Sequence, residues 1–311
     1  MGEVVASRLS VIIPVKHDLR LVRCLAALAG QTLEPDRFDV LVVDNAADGS
    51  AASMAASAGV GYLRHADGGS YAARSAGAAH ASGDVLVFTD ADCVPAATWL
   101  ASIAGLFDDA AREVVIGPSS STVESVVAAW VQDVDEARWR RVAASPAVAF
   151  CDTRNLAIRR SVLEAVPFDP SFRQAGDVDL GIRLHKAGHA ITPEPSLRLR
   201  HDHPQTLWAV LRRAVRRGRG LARLDAKHGL TDAPMGQRPL SFAGRDLKRP
   251  LLRLGRARLT RPLVLGVAVV SLTVLTPALA IVARLGGLGE TGNRMFVTFE
   301  RISLFVGRVL G

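Results

Sequence analysis

The chain has 311 residues, 49% of them apolar, enough for one large domain with an appendage or for two small domains around a buried core. A net charge of +8 and a pI near 10.2 suit a nucleic-acid binder, a partner of anionic lipid or a handler of phosphorylated substrates. Cys24, Cys93 and Cys151 are odd in number and lack metal-ligand spacing, which excludes a disulfide framework or a zinc site and leaves buried thiols in a reducing compartment.

The N-terminus, "MGEVVASRLSVIIPV", has no charged region ahead of an apolar one, so no signal peptide is expected, and Ala6 breaks the myristoylation pattern. Four β-branched runs follow as strands: "LSVIIPV", "FDVLVVD", "VGYLRH" and "DVLVFTD". Between them "LRLVRCLAALAGQ", "SAASMAASA" and "GSYAARSAGAAHAS" have helical spacing. Nearly continuous apolar strands alternating with helices predict an α/β fold with a parallel sheet covered on both faces. Ligands of such sheets bind at the carboxyl ends of the strands. Asp44 closes the second strand and Asp90 and Asp92 the fourth, so these carboxylates are expected to face one crevice. Two carboxylates one residue apart can share a divalent cation through hard oxygen ligands, and the cation would neutralise a substrate's phosphates.

The second half predicts a strand at "EVVIG", a helix over "VESVVAAWVQDVDEARWRRV" and strands around "VAFC" and "NLAIR". Asp177 and Asp179 open a further helix, where its dipole favours acids. Residues two apart on a helix point to different faces, so one can reach a ligand while the other caps. Trp130 and Trp139 lie on the longer helix and either offer a stacking platform to a ligand or fill the core.

Six ordered elements, "SVIIPVKHDLRLVRCLAALAGQT", "LVVDNAADGS", "GGSYAARSAGAAHASGDVLVFTDAD", "TRNLAIRRSVLEAVPFDPSF", "GDVDLGIRLHKAGH" and "RHDHP", resemble the glycosyltransferase family 2 enzymes with the GT-A fold. The resemblance runs from about Leu9 to about Leu224. It implies a nucleoside-diphosphate sugar donor, with Pro14, Asp44, Arg74, Asp90 and Asp92 in the donor site, and a uridine nucleotide the commonest among relatives. It makes Asp90 and Asp92 the DxD pair that holds Mn2+ or Mg2+, with His201 beside the metal, and Asp177 the catalytic base. The glutamate that usually precedes the base is Gly176 here, and Asp179 is the alternative base. If His201 and His203 are not ligands, they are surface histidines of a basic loop.

The chemistry fits these residue types. A leaving diphosphate gathers negative charge that a cation on Asp90 and Asp92 offsets, while an aspartate takes the acceptor's proton, a role worth roughly 10²–10⁴-fold. A single in-line displacement inverts the anomeric centre, and no motif offers the nucleophile that retention needs. A nucleotidyltransferase would usually carry a Gly-rich phosphate loop where "PVKHDLRL" stands, and the Rossmann and P-loop motifs are absent. An inert module tethered to a membrane by its basic helices is a second alternative. A nucleic-acid partner is not expected, because the Arg-rich helix has few interleaved aromatics.

The positive charge crowds into "LRLRHDHPQTLWAVLRRAVRRGRGLARL" and "GRDLKRPLLRLGRARLTR". Directly afterwards 262–283 holds no charged residue, and roughly 20 apolar residues can cross a bilayer, although Pro277 interrupts the run and Ser271, Thr273 and Thr276 dilute it. The tail "NRMFVTFERISLFVGRVL" suits an amphipathic helix in the interface. Both segments otherwise pack on the catalytic domain. The expected organisation is a GT-A domain over 1–230, with a nucleotide half to about 117 and an acceptor half beyond, a basic linker over 231–261 and a membrane-associated helical region over 262–311. By the positive-inside rule a bacterial, membrane-associated member would work at the cytoplasmic face of the cell membrane on a lipid-linked or glycan acceptor.

Overall fold

The computed structural model describes residues 7–66, 68–144, 150–229, 261–284 and 289–310, so the expected linker 231–261 lies, Arg261 aside, outside the described residues. The chain forms two compact units, Met1–Thr122 with Trp139–Asp202, and Val123–Arg138 with His203–Gly311.

In the first unit, strands β1 (Leu9–Val15), β2 (Phe38–Asp44), β3 (Gly61–Arg64) and β4 (Val85–Phe88) alternate with helices α1 (Leu21–Ala29), α2 (Ala52–Ser57) and α3 (Ser70–His80), as the apolar runs predict. β1 and β4 are buried along their whole length because helices cover both faces. β1 pairs in parallel with β2 on one side and β4 on the other, so the sheet order turns there, the usual place of a ligand crevice.

The rest of the sheet is less regular than the sequence predicts. After β5 (Cys93–Pro95) and α4 (Trp99–Phe107) come β6 (Val114–Ile116) and β7 (Ser119–Ser121), then α5 (Val126–Ala143), whose residues to Arg138 belong to the second unit. Next are β8 (Leu156–Arg159), α6 (Arg160–Ala165), α7 (Gly176–Lys186), β9 (Ile191–Pro193) and β10 (Leu199–His201). The strand expected at "VAFC" is absent where it can be seen: Val148 and Ala149 lie outside the described residues, and Phe150 and Cys151 are irregular. The main sheet runs β3-β2-β1-β4-β8-β6-β9, and β5, β10 and β7 form a second, three-stranded sheet. The central sheet is mostly parallel, as the GT-A resemblance implies, with β8 lying antiparallel between β4 and β6. That reversal sets the start of β8 beside the end of β4, with Leu156 opposite Phe88. Asn155 pins the spot: its side chain accepts from Trp99 Nε1 at 2.9 Å and donates to the carbonyls of Pro118 at 3.0 Å and Leu197 at 2.6 Å. All three cysteines are buried and free.

The second unit is helical. Helix α8 (Leu207–His228) begins at Thr206, whose hydroxyl accepts from Ala209 N at 3.2 Å, and ends at Gly229 in the left-handed conformation with φ 63°. It packs with α9 (Arg261–Arg284) and α10 (Gly289–Leu310), and Gly218 of α8 meets Gly307 of α10 where any side chain would strike backbone. Trp130 fills this core at 5.3 Å from Phe296, whereas Trp139 is half-buried. Pro277 lies inside α9 and does not end it. Among the described residues no helix is long and apolar enough to cross a membrane, so the expected span at 262–283 is not found. Leu272 and Leu279 of α9 are instead buried in the helical core, while Val270, Val274 and Ile281 are exposed.

A Cβ on Gly77 of α3 would stand 2.5 Å from Ile12 Cγ2 and 2.9 Å from Val43 Cγ2, so the helix rests directly on β1 and β2. Gly77→Ala should cost about 1–3 kcal/mol by overpacking, read as a lower urea midpoint with an unchanged m-value.

Candidate functional site

The register of the two sheets explains which side chains meet. Asp90 and Asp92 follow β4, and Cys93 N donates to Asp90 O at 3.0 Å to close the turn between them. β10 runs antiparallel to β5 with His201 opposite Cys93, which brings His201 Nε2 to 3.3 Å from Asp92 Oδ2. From the start of β8, Arg154 Nη1 reaches His201 Nδ1 at 3.5 Å, while its other nitrogens hold Asp152. Arg20, at the head of α1, lies 3.4 Å from Asp92 and 3.6 Å from Asp202 and is tied to Asp18 at 2.6 Å. Arg23 bonds Asp202 at 2.6 Å. Arg74, one turn into α3 and 3% exposed, donates to Asp90.

These charges split the two carboxylates. Burial, and then the like charge of Asp92, push Asp90 up against the pull of Arg74. Burial works against ionised Asp92 too, but the His201 hydrogen bond and the charges of His201, Arg20 and Arg154 hold it at about 2. Asp92 is thus ionised throughout the neutral range. Arg74 Nε is buried without a hydrogen-bond partner, an unused donor beside the carboxylates.

The structure therefore gathers Asp90, Asp92, Arg74 and His201, four of the expected site residues. Asp44 is engaged elsewhere: wholly buried, its carboxylate accepts from Ala46 N at 2.9 Å, Ala51 N at 2.8 Å and the Tyr62 hydroxyl at 3.2 Å, closing the loop after β2. Pro14 is buried in β1 opposite Val43. Asp177 is half-buried at the first turn of α7, where its Oδ1 accepts from Val178 N at 2.9 Å. Asp179 is fully buried and bonded to Arg183 Nε at 2.8 Å, one helical turn along, so the alternative base is committed inside the helix. Neither histidine is a surface residue. His201 is 7% exposed, and His203, 2% exposed, bonds Gln132 Oε1 through Nε2 at 2.8 Å.

Arg20, Arg23 and Arg154 escape the sequence reading, because an arginine in a turn or on a helix looks like any solvated surface cation. Only the pairing of β8 with β4 and of β10 with β5 shows what they face.

Among the described residues no group of three or more His, Cys, Asp or Glu side chains is placed to hold a metal ion by itself. The donor set fits a cation shared with a ligand: Asp92 Oδ2 and His201 Nε2 face each other, and a diphosphate completes the shell of Mg2+ or Mn2+ in sites of that kind. Asp90 is turned to Arg74 instead.

The model of the "Glycosyl transferase family 2" family matches residues 10–166, just over half the chain. The chain belongs to glycosyltransferase family 2. Glycosyltransferase AglE of Haloferax volcanii is 29% identical over 226 residues, covering 68% of this chain and 72% of that one. A pre-mycofactocin glycosyltransferase of Mycobacterium tuberculosis is 30% identical over 242 residues, 73% of this chain and 49% of the relative, so this chain spans about half of that protein's length. The mannosyltransferase PcManGT of Pyrobaculum calidifontis, solved with GDP-Man and Mn2+, shares the fold with a TM-score of 0.63 at 21% identity, covering 96% of this chain and 86% of that one. This glycosyltransferase therefore has the GT-A fold.

Replacing Asp92 removes most of the anionic charge at the cation position with little loss of burial. Asp92→Asn should keep the wild-type circular dichroism spectrum and lose any Mn2+-dependent part of nucleoside-diphosphate binding, measured by calorimetry with and without the metal.

Proposed function

We propose that this glycosyltransferase moves a sugar, with inversion, from a nucleoside-diphosphate sugar to a hydroxyl or phosphate acceptor that is lipid-linked or part of a glycan. The carrying observation is the Asp90–Asp92 pair ringed by Arg74, Arg20, Arg154 and His201. Such a ring suits an anionic leaving group better than a neutral ligand. The GDP-Man and Mn2+ held by the fold neighbour support a nucleoside-diphosphate donor and a divalent cation here.

In this reading the donor nucleotide lies over Pro14 at the end of β1, with Asp44 shaping the loop that receives the base. Arg74 offers its unused Nε to the donor and holds Asp90 by its terminal nitrogen. Asp92 and His201, with Asp90 beside them, hold Mn2+ or Mg2+. Bound there, the cation would supply Lewis-acid neutralisation of the leaving diphosphate. Arg20 and Arg154 add fixed positive charge near Asp92, ready for the negative charge of the transition state. Asp177, half-buried at a helix N-terminus, accepts the acceptor's proton.

A bilayer surface at the cytoplasmic face is the proposed workplace. Trp208, Arg212, Arg216, Arg219 and Arg223 form one exposed stripe of α8, a side for anionic headgroups and the interface. Beside it a groove of about 820 Å³ is lined by Trp208, Leu211, Val215, Leu272, Pro277 and Val306, with Arg212 and Arg216 also on its walls. Apolar walls with arginines suit a lipid chain under an anionic head.

Thermal-shift measurements with UDP, GDP and dTDP, each with Mn2+ or Mg2+, should show stabilisation by one nucleotide that needs the metal; stabilisation by none removes the donor site. Asp177→Asn should leave that stabilisation unchanged and slow turnover by at least roughly a hundredfold. On vesicles of phosphatidylcholine with a quarter phosphatidylglycerol, the full chain should float, and Arg212→Glu with Arg216→Glu should release it. Equal flotation on pure phosphatidylcholine would argue against the charge-based contact.

A further inference from the structure

Where the family carries a glutamate before its base, this chain has Gly176, and the structure gives a steric reason. A Cβ at Gly176 would stand 2.7 Å from Tyr71 Cγ and Cδ2 and 2.9 Å from Cδ1. No side chain fits there while the Tyr71 ring keeps its place. The ring is confined: Phe168 lies 6.0 Å away, itself edge-on to Phe88 at 5.2 Å, and the Arg74 guanidinium sits over the ring at 5.2 Å. The preceding residue, Ala175, adopts the left-handed conformation with φ 64° and ψ 16°, which costs a non-glycine residue roughly 1–2 kcal/mol and points α7 at the tyrosine.

The ring that fills the space at Gly176 thereby places its phenol beside the next residue, Asp177, whose carboxylate and backbone N–H both act on it. Burial, and then the charge of Asp177, push the phenol well above its ordinary value, so it remains a donor at any pH the enzyme meets. Among the groups facing the pair are Arg74, over the ring, and Cys151, whose thiol burial and then Asp177 push up so that it stays neutral.

We propose that Tyr71 is the positioning residue of Asp177, occupying from α3 the volume that a glutamate at position 176 would fill and holding the carboxylate by its hydroxyl. The proposal rests on the reading of Asp177 as the base. It also joins the two halves of the chemistry, since Arg74 touches both the Tyr71 ring and Asp90.

Tyr71→Phe in the full chain keeps the ring over Gly176 and removes only the hydroxyl. By carbon-13 NMR the Asp177 carboxylate should titrate at higher pH in the variant, because its charged form loses a donor. With Mn2+ and GDP-mannose or UDP-glucose, and water as the acceptor, kcat for hydrolysis should fall about tenfold at unchanged donor KM, with its acid limb moved to higher pH. In an Asp177→Asn background Tyr71→Phe should cost nothing further, since the two act as one unit. An unmoved Asp177 titration overturns the proposal, and so does an equal loss of turnover in both backgrounds. Asp177→Asn hydrolysing at the wild-type rate would sink the base reading alone, because the titration reads the Tyr71–Asp177 bond without turnover.

Discussion

Two carboxylates one residue apart at a strand end repel each other, and the first unit is organised around making that arrangement tolerable. Any two like charges about 4 Å apart cost about 4 kcal/mol at an effective dielectric near 20, and a fold of marginal stability feels a cost of that order. Each carboxylate is therefore given its own cations: Asp90 has Arg74, and Asp92 has His201, Arg20 and Arg154. None of these four comes from the strand that carries the acids. They arrive from α3, β10, the head of α1 and the start of β8, so the sheet order and the electrostatics are one constraint. A diphosphate entering with its own cation would meet a site already balanced for negative charge.

Much of the first half is legible in the sequence because its strands are buried on both faces. "LSVIIPV" and "FDVLVVD" coincide with β1 and β2, residue for residue. Strands β5, β7, β9 and β10 have three residues each, too short for any period to register, whereas the equally short β6 is marked by the apolar run of "EVVIG", and α4 is so apolar along its length that it shows no face. The antiparallel β8 could not be foreseen, since "NLAIR" reads the same in either direction of pairing. Acids at strand ends are conspicuous, which is why Asp90 and Asp92 were found from the pattern alone. Cations drawn from distant turns or from a helix are not, and Arg20, Arg23 and Arg154 appear only once the strands are paired. Asp44 shows the limit of the same signal: its strand-end position is right, yet its carboxylate accepts from two backbone amides of its own loop and from the Tyr62 phenol of β3.

The helical unit answers a different demand. Helix α8 carries arginines that cannot be buried and sorts them to one side, with Leu207, Val210, Ala214, Leu221 and Leu224 inward and its Trp208-to-Arg223 stripe outward. Close approach of α8 and α10 at Gly218 and Gly307 then lets the long side chains splay outward rather than separate the backbones. An amphipathic pattern reads as clearly from sequence as a span does, but it leaves open whether protein or lipid covers the apolar face. Leu272 and Leu279 are covered by protein, whereas Val270, Val274 and Ile281 on the same helix are not.

Gly176 and Tyr71 show why a motif compared position by position can mislead. Seen along the chain, the glycine is a loss, a signature acid gone from beside the base. Seen in space, it is one half of an exchange of volume, because the room vacated at 176 is filled by an aromatic ring from a helix about a hundred residues earlier. The exchange keeps a buried group next to Asp177, the proposed base, while replacing an acid with a phenol that burial keeps neutral. That swap has an electrostatic consequence: a glutamate beside Asp177 would add a like charge and raise the base, whereas a phenol donating a hydrogen bond favours its ionised form. With Asp90 and Asp92 already crowding negative charge at the sheet edge, a neutral neighbour for the base is the arrangement that adds no further repulsion.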